Sequence, residues 1–123
     1  MLERTPFFIW SSDTEPMTVD KTLNTSDFLP TVLNLLNIDS PYDYIGRDAF
    51  DPNYTGYALF PDGTWVSDGV ACRVSTSGNH NILCNKKEKE LSEEFLNEMA
   101  QTVNDYISVI NLLLPCDYYN KIR

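Results

Sequence analysis

The side chains able to do chemistry are few, and their spacing is unhelpful to it. The one histidine, His80, sits in SGNHNIL with only asparagines beside it. A metal-binding histidine wants a second ligand at helical or strand spacing, so His80 reads as a residue near a turn. Cys72, Cys84 and Cys116 are odd in number, far apart, and form no CxxC pair. They supply neither a disulfide framework nor a four-ligand zinc site, and are expected to be small buried apolar residues. Acid pairs such as Asp48 with Asp51, or Glu93 with Glu94, read as a solvated loop and helix face rather than as a general acid and base. No HExxH, GxSxG, GxGxxG or Walker-type loop occurs. Asn24-Thr25-Ser26 and Asn53-Tyr54-Thr55 fit the glycosylation acceptor pattern, which decides nothing without a secretory route. Arg47 can hold an anionic group, a carboxylate across a domain interface, or a local acid such as Asp48 or Asp51.

The elements that must carry these residues follow from pattern. Phe7-Phe8-Ile9-Trp10 is an unbroken β-branched and aromatic run, the character of a strand buried on both faces. Such a strand needs neighbours joined by crossover helices, and one helix at most is available for that. Residues 11–25 are polar and aperiodic. In SDFLPTVLNLLNI, Phe28, Leu29, Val32, Leu33 and Leu36 share one helical face. Ser26 or Asp27 can accept from the free amides, and Pro30 is tolerated in the first turn, so a helix is predicted over 27–37. Residues 40–53, with two prolines and Gly46, are predicted to form a surface loop. The period then falls to two. Residues 55–60 and Trp65-Val66 flank the turn Pro61-Asp62-Gly63-Thr64, and Val70–Val74 and His80–Leu83 flank STSGN. A small antiparallel sheet of three or four strands is expected. From Lys86 onward, Leu91, Phe95, Met99, Val103, Tyr106, Ile110 and Leu113 recur at spacings of four and three, the stripe of a long amphipathic helix stopped by Pro115. That helix should cover one face of the sheet.

Composition limits function as well. The 123 residues fit one unit of ordinary domain size. Eighteen acids against nine bases give a formal charge of −9, which argues against binding nucleic acid and against docking on an anionic membrane. No run approaches the ~20 apolar residues of a membrane-crossing helix, and the N-terminal stretch lacks the apolar core of a secretory signal.

The order of segments resembles the C-terminal portion of the sulfatase and alkaline-phosphatase-like superfamily, nearest to the lipoteichoic acid synthase and phosphoglycerol transferase branch. TPFFIW at 5–10 resembles a strand of the central sheet in that family. The helix that follows bears the family's pattern at Asp27, Pro30, Thr31, Leu33, Leu35, Leu36 and Ile38, and its loop at Gly46, Arg47, Asp48 and Phe50. The hairpin from Pro61 to Trp65 is similar to another family segment. The likeness covers residues 5–66, and beyond them only the architecture agrees. It implies an α/β fold, locally α+β: residues 1–50 would be the edge of a large sheet plus a helix, and 51–123 a small antiparallel sheet plus the C-terminal helix.

Enzymes of this family use a divalent metal (Mn²⁺, Mg²⁺ or Ca²⁺) and a Thr, Ser or formylglycine nucleophile. Those groups precede the strand that TPFFIW resembles, and Met1–Arg4 cannot supply them. The resemblance therefore assigns no catalytic or metal-binding residue and no cofactor to this chain. Asp27, Pro30, Thr31, Leu33, Leu36, Gly46, Arg47 and Asp48 are expected to be structural. The expected partner is the remainder of a catalytic domain, membrane-anchored and facing outward from a bacterial cell, with self-association as a consequence of severance. The other expectation is a stand-alone acidic interaction module that pairs through an exposed strand edge.

Overall fold

The computed structural model describes residues 5–118. A 3-10 turn, Thr25–Asp27, leads into helix α1, Phe28–Leu35. Four strands follow, β1 Ala58–Leu59, β2 Thr64–Ser67, β3 Val70–Val74 and β4 His80–Asn85, then helix α2, Glu93–Cys116. The strands form one antiparallel sheet in sequence order. Among the described residues no helix is long and apolar enough to cross a membrane.

Each element ends where its sequence stops supporting it. Helix α1 closes with Asn37 in the left-handed region (φ 51°). The Ile38 amide reaches the Leu33 carbonyl at 2.9 Å, and the Asn37 amide reaches that of Asn34 at 3.0 Å. This pair of bonds satisfies two carbonyls the helix would otherwise leave open. Between β2 and β3, Asp68 and Gly69 both take positive φ (43° and 83°), the two-residue turn whose twist matches paired strands. Lys87 and Lys89 both close on the Asp68 carboxylate, tying this turn to the segment after β4. Their hydrogen bonds hold that carboxyl well below its ordinary range.

Side chains alternate across the sheet, and register decides which meet α2. Leu59, Trp65, Cys72 and Ile82 lie in one row, on the face where Trp65 meets Phe95 of α2 edge-on at 5.7 Å. Met99 and Val103 complete this core with Val70, and Leu91 and Tyr106 pack against it. The expected stripe is therefore the buried stripe as far as Tyr106. The Ser92 side chain caps α2 by accepting from the Phe95 amide, with Glu93 and Glu94 favourable in the positive first turn. Between Ala71 and Cys72 the register with β4 shifts, so Leu83 is an extra residue facing no partner on β3.

Several expectations change. Phe7–Trp10 is not a buried strand: no strand of the described residues pairs with it, and Phe8 and Trp10 are 86% and 87% exposed. A strand exists only where a neighbour takes its amides and carbonyls. The expected strand over 55–60 shrinks to Ala58–Leu59, because Gly56 at φ 86° turns the chain just before it. Pro115 does not stop α2 short; it lies in the last turn, and the helix ends one residue later, before Asp117 at φ 49°. Of the cysteines only Cys72 is buried, while Cys84 is half-buried and Cys116 exposed. The loop 40–53 is more than surface, since Ala49 within it is buried.

Truncating the core should be costly. Met99→Ala is expected to lose about 2–5 kcal/mol in urea unfolding. Met17→Ala, at a residue 64% exposed, should change stability by less than about 0.5 kcal/mol.

Candidate functional site

The Asp27 carboxylate is 2% exposed and carries no counter-ion at hydrogen-bond distance among the described residues. Its charge is tolerable because three donors converge on it. The Asn24 amide reaches Oδ2 at 2.8 Å, the Tyr54 hydroxyl reaches the same oxygen at 2.9 Å, and the Arg47 amide reaches Oδ1 at 2.8 Å. One carboxylate thus gathers the helix start, the loop at 47 and the segment entering the sheet.

Neighbouring groups extend this clasp. The Thr31 hydroxyl donates to the Asp27 carbonyl at 2.6 Å and accepts from the Ala49 amide at 2.9 Å. Gly46 lies so close to the helix start that a Cβ there would stand 1.9 Å from the Ser26 carbonyl oxygen. The Asp48 carboxylate accepts from the Asn34 side chain at 2.6 Å and the Phe50 amide at 3.0 Å. Lys21 donates to the carbonyls of Ala49 and Asp51 at 3.0 and 2.8 Å, fixing the far side of the loop. Burial, then the Asp27 charge, push the Tyr54 phenol well above its ordinary value, so it remains a donor.

Five of the eight motif residues meet here: Asp27, Thr31, Gly46, Arg47 and Asp48. Pro30 occupies the first turn of α1, Leu33 is half-buried, and Leu36 is 62% exposed on the outside. Arg47 contributes its backbone amide to the clasp. Its guanidinium lies 5.8 Å from the centre of the Tyr54 ring, and it forms no ion pair with Asp48 or Asp51. Those acids already accept from their own loop, Asp51 from the Asn53 amide at 2.9 Å. Sequence reasoning missed Tyr54 and treated Asn24 only as a glycosylation acceptor. Tyr54 follows Asp27 by 27 positions, and no local pattern links residues so far apart.

Beside the clasp a half-open cleft of about 580 Å³ runs along the C-terminal half of α2, walled by Tyr44, Ile45, Arg47, Tyr57, Asp105 and Tyr106 among others. Its walls offer aromatic faces and carboxylates, and no cysteine, serine or threonine paired with a histidine base. His80 lies elsewhere, at the start of β4, with Nε2 3.4 Å from the Asn97 amide oxygen. Burial raises the Cys72 thiol, which keeps it from acting as a ready thiolate. Among the described residues no three His, Cys, Asp or Glu side chains are grouped to hold a metal ion. Both Asp27 oxygens are turned to N–H and O–H donors, so its carboxylate does not fit that use. The geometry is that of a structural lock.

No known protein family matches the chain, and neither a curated protein nor a solved structure is significantly similar to it. The sulfatase-like resemblance rests on the motif residues themselves.

Breaking the lock should leave buried donors unpaired. Asp27→Asn is expected to destabilise by about 1–3 kcal/mol. Hydrogen exchange should show the Arg47 and Ala49 amides losing protection while those of β2 and β3 keep it. Uniform loss across the chain would contradict a lock confined to the first half.

Proposed function

We propose that the chain is a supporting C-terminal segment of a sulfatase-like, metal-dependent phosphoglycerol transferase or hydrolase. The body it docks against would supply the nucleophile and the metal. The parent would act on phosphoglycerol or sulfate esters at the outer face of a bacterial membrane.

The observation that carries this reading is the Phe7–Trp10 segment, with which no strand of the described residues pairs. It is apolar and largely exposed, yet it is oriented: Phe7 stacks on Phe28 of α1 at 4.2 Å with the rings 9° from parallel. Helix α1 beside it exposes Leu29 and Leu35, with Leu36 and Ile38 just beyond its end. The core between the sheet and α2, by contrast, is complete without these residues. One half of the molecule is closed and the other presents an apolar surface that wants a cover. Burying side chains such as Phe8, Ile9 and Trp10 is worth about 1.5–3 kcal/mol each, ample to hold a docked segment. The motif residues support the same role, because they fix the backbone behind this surface.

The exposed Phe8 and Trp10 side chains also favour a second reading, a stand-alone acidic module that takes a partner strand there. Light scattering after size exclusion separates the two. In about 0.5 M NaCl, where surface charge is screened, a severed segment should self-associate, and Phe8→Ser with Trp10→Ser should return it to a monomer. Monodispersity of the unsubstituted chain under those conditions would favour the module. Turnover of a phosphodiester or sulfate ester by this chain with added Mn²⁺ would defeat the supporting role outright.

A further inference from the structure

Resting on the reading that residues 7–10 are a docking strand, we infer that their partner presents an apolar strand edge rimmed by lysine or arginine side chains. The argument is charge complementarity around the exposed apolar surface. Asp13 and Glu15 follow Trp10 by three and five residues, and Asp39 follows Ile38 directly; all three are exposed. Asp20, further along the same loop, lies within electrostatic reach of Lys87 and is not part of this rim. Between Thr5 and Asn53 the only bases are Lys21 and Arg47. Neither neutralises this rim. The Lys21 ammonium is bound to the carbonyls of Ala49 and Asp51, and the Arg47 guanidinium lies over Tyr54.

An acidic rim around an apolar centre selects against acidic partners, since like charges brought together cost several kcal/mol. A second copy of this chain would bring the same rim against itself, so self-association needs screening salt. The sheet's own edges are poor alternatives for the strand. Strand β1 has two residues, and β4 is broken by the extra Leu83 and followed by lysines, both devices that blunt an edge. The partner that fits contributes backbone hydrogen bonds and apolar side chains at the centre and cations at the margin.

Trp10 is a built-in reporter, because it is 87% exposed while the only other tryptophan, Trp65, is fully buried. The probes are three synthetic octapeptides of alternating Val-Lys, Val-Glu and Ser-Lys. At about 50 mM NaCl the Val-Lys peptide should shift the Trp10 emission to the blue and bind at least about tenfold more tightly than Val-Glu, an advantage that shrinks toward about 0.5 M. The Ser-Lys peptide should leave the emission unmoved. Phe8→Ser with Ile9→Ser should abolish the shift. Leu112→Ser with Leu114→Ser, at exposed apolar residues of α2, should retain it, and circular dichroism checks that both variants fold. Equal binding of Val-Glu and Val-Lys overturns the basic rim and leaves the docking strand standing. Binding of Ser-Lys as tight as Val-Lys reduces the effect to bulk charge and overturns the inference. Failure of every peptide to move Trp10 overturns both the inference and the docking strand.

Discussion

A charged group taken out of water must be answered from within the protein, and here that group is the Asp27 carboxylate. Three donors answer it, and they come from the residue before the helix, from a loop 20 positions on, and from a tyrosine 27 positions on. None of those segments is long or apolar enough to fix its own place. The carboxylate orders them because leaving any donor out would strand a buried polar group. The tight approach of Gly46 to Ser26, and the double role of the Thr31 hydroxyl, both presuppose that arrangement.

Two kinds of cohesion therefore hold the molecule. The sheet and α2 are joined by apolar packing around Trp65, Cys72, Met99 and Val103. The first half is joined largely by polar bonds, and many of its large apolar residues, Phe8, Ile9, Trp10, Leu29 and Leu36 among them, are exposed. This contrast is the ground on which the Phe7–Trp10 segment and α1 are proposed as a docking surface. It also separates support from chemistry: Asp27, Thr31, Gly46 and Asp48 hold backbone in place, and among the described residues the cleft beside them carries no nucleophile paired with a histidine.

Much of the fold was legible in the sequence because the signals were local. Proline in the first turn and apolar spacing marked α1, alternation and the turns at 61–64 and 75–79 marked the sheet, and the stripe from Leu91 to Tyr106 marked α2. The site was legible only in part. Asp27, Thr31, Gly46 and Asp48 stood out through the family resemblance in the order of segments, but that order said nothing of which atoms would meet. Tyr54 escaped, because its partner is distant in sequence and its neighbours carry no pattern. Phe7–Trp10 has the composition of an inner strand, and composition expresses what a segment would prefer given a neighbour. Pairing is a property of two segments, and among the described residues no strand pairs with this one. The burial expected of the cysteines failed for a similar reason: residue type predicts average burial, whereas face and register decide the particular case.

The unmatched Leu83 reaches further than the strand edge. In an unbroken ladder Cys84 would stand opposite Val70, on the α2 side with Cys72. The additional residue moves it opposite Ala71, on the other side of the sheet. A covalent sulfur link between those two thiols is thereby forbidden within the chain, since it would have to pass through the sheet. Of the three thiols Cys116, at the end of α2, is the exposed one and so the most open to an oxidant.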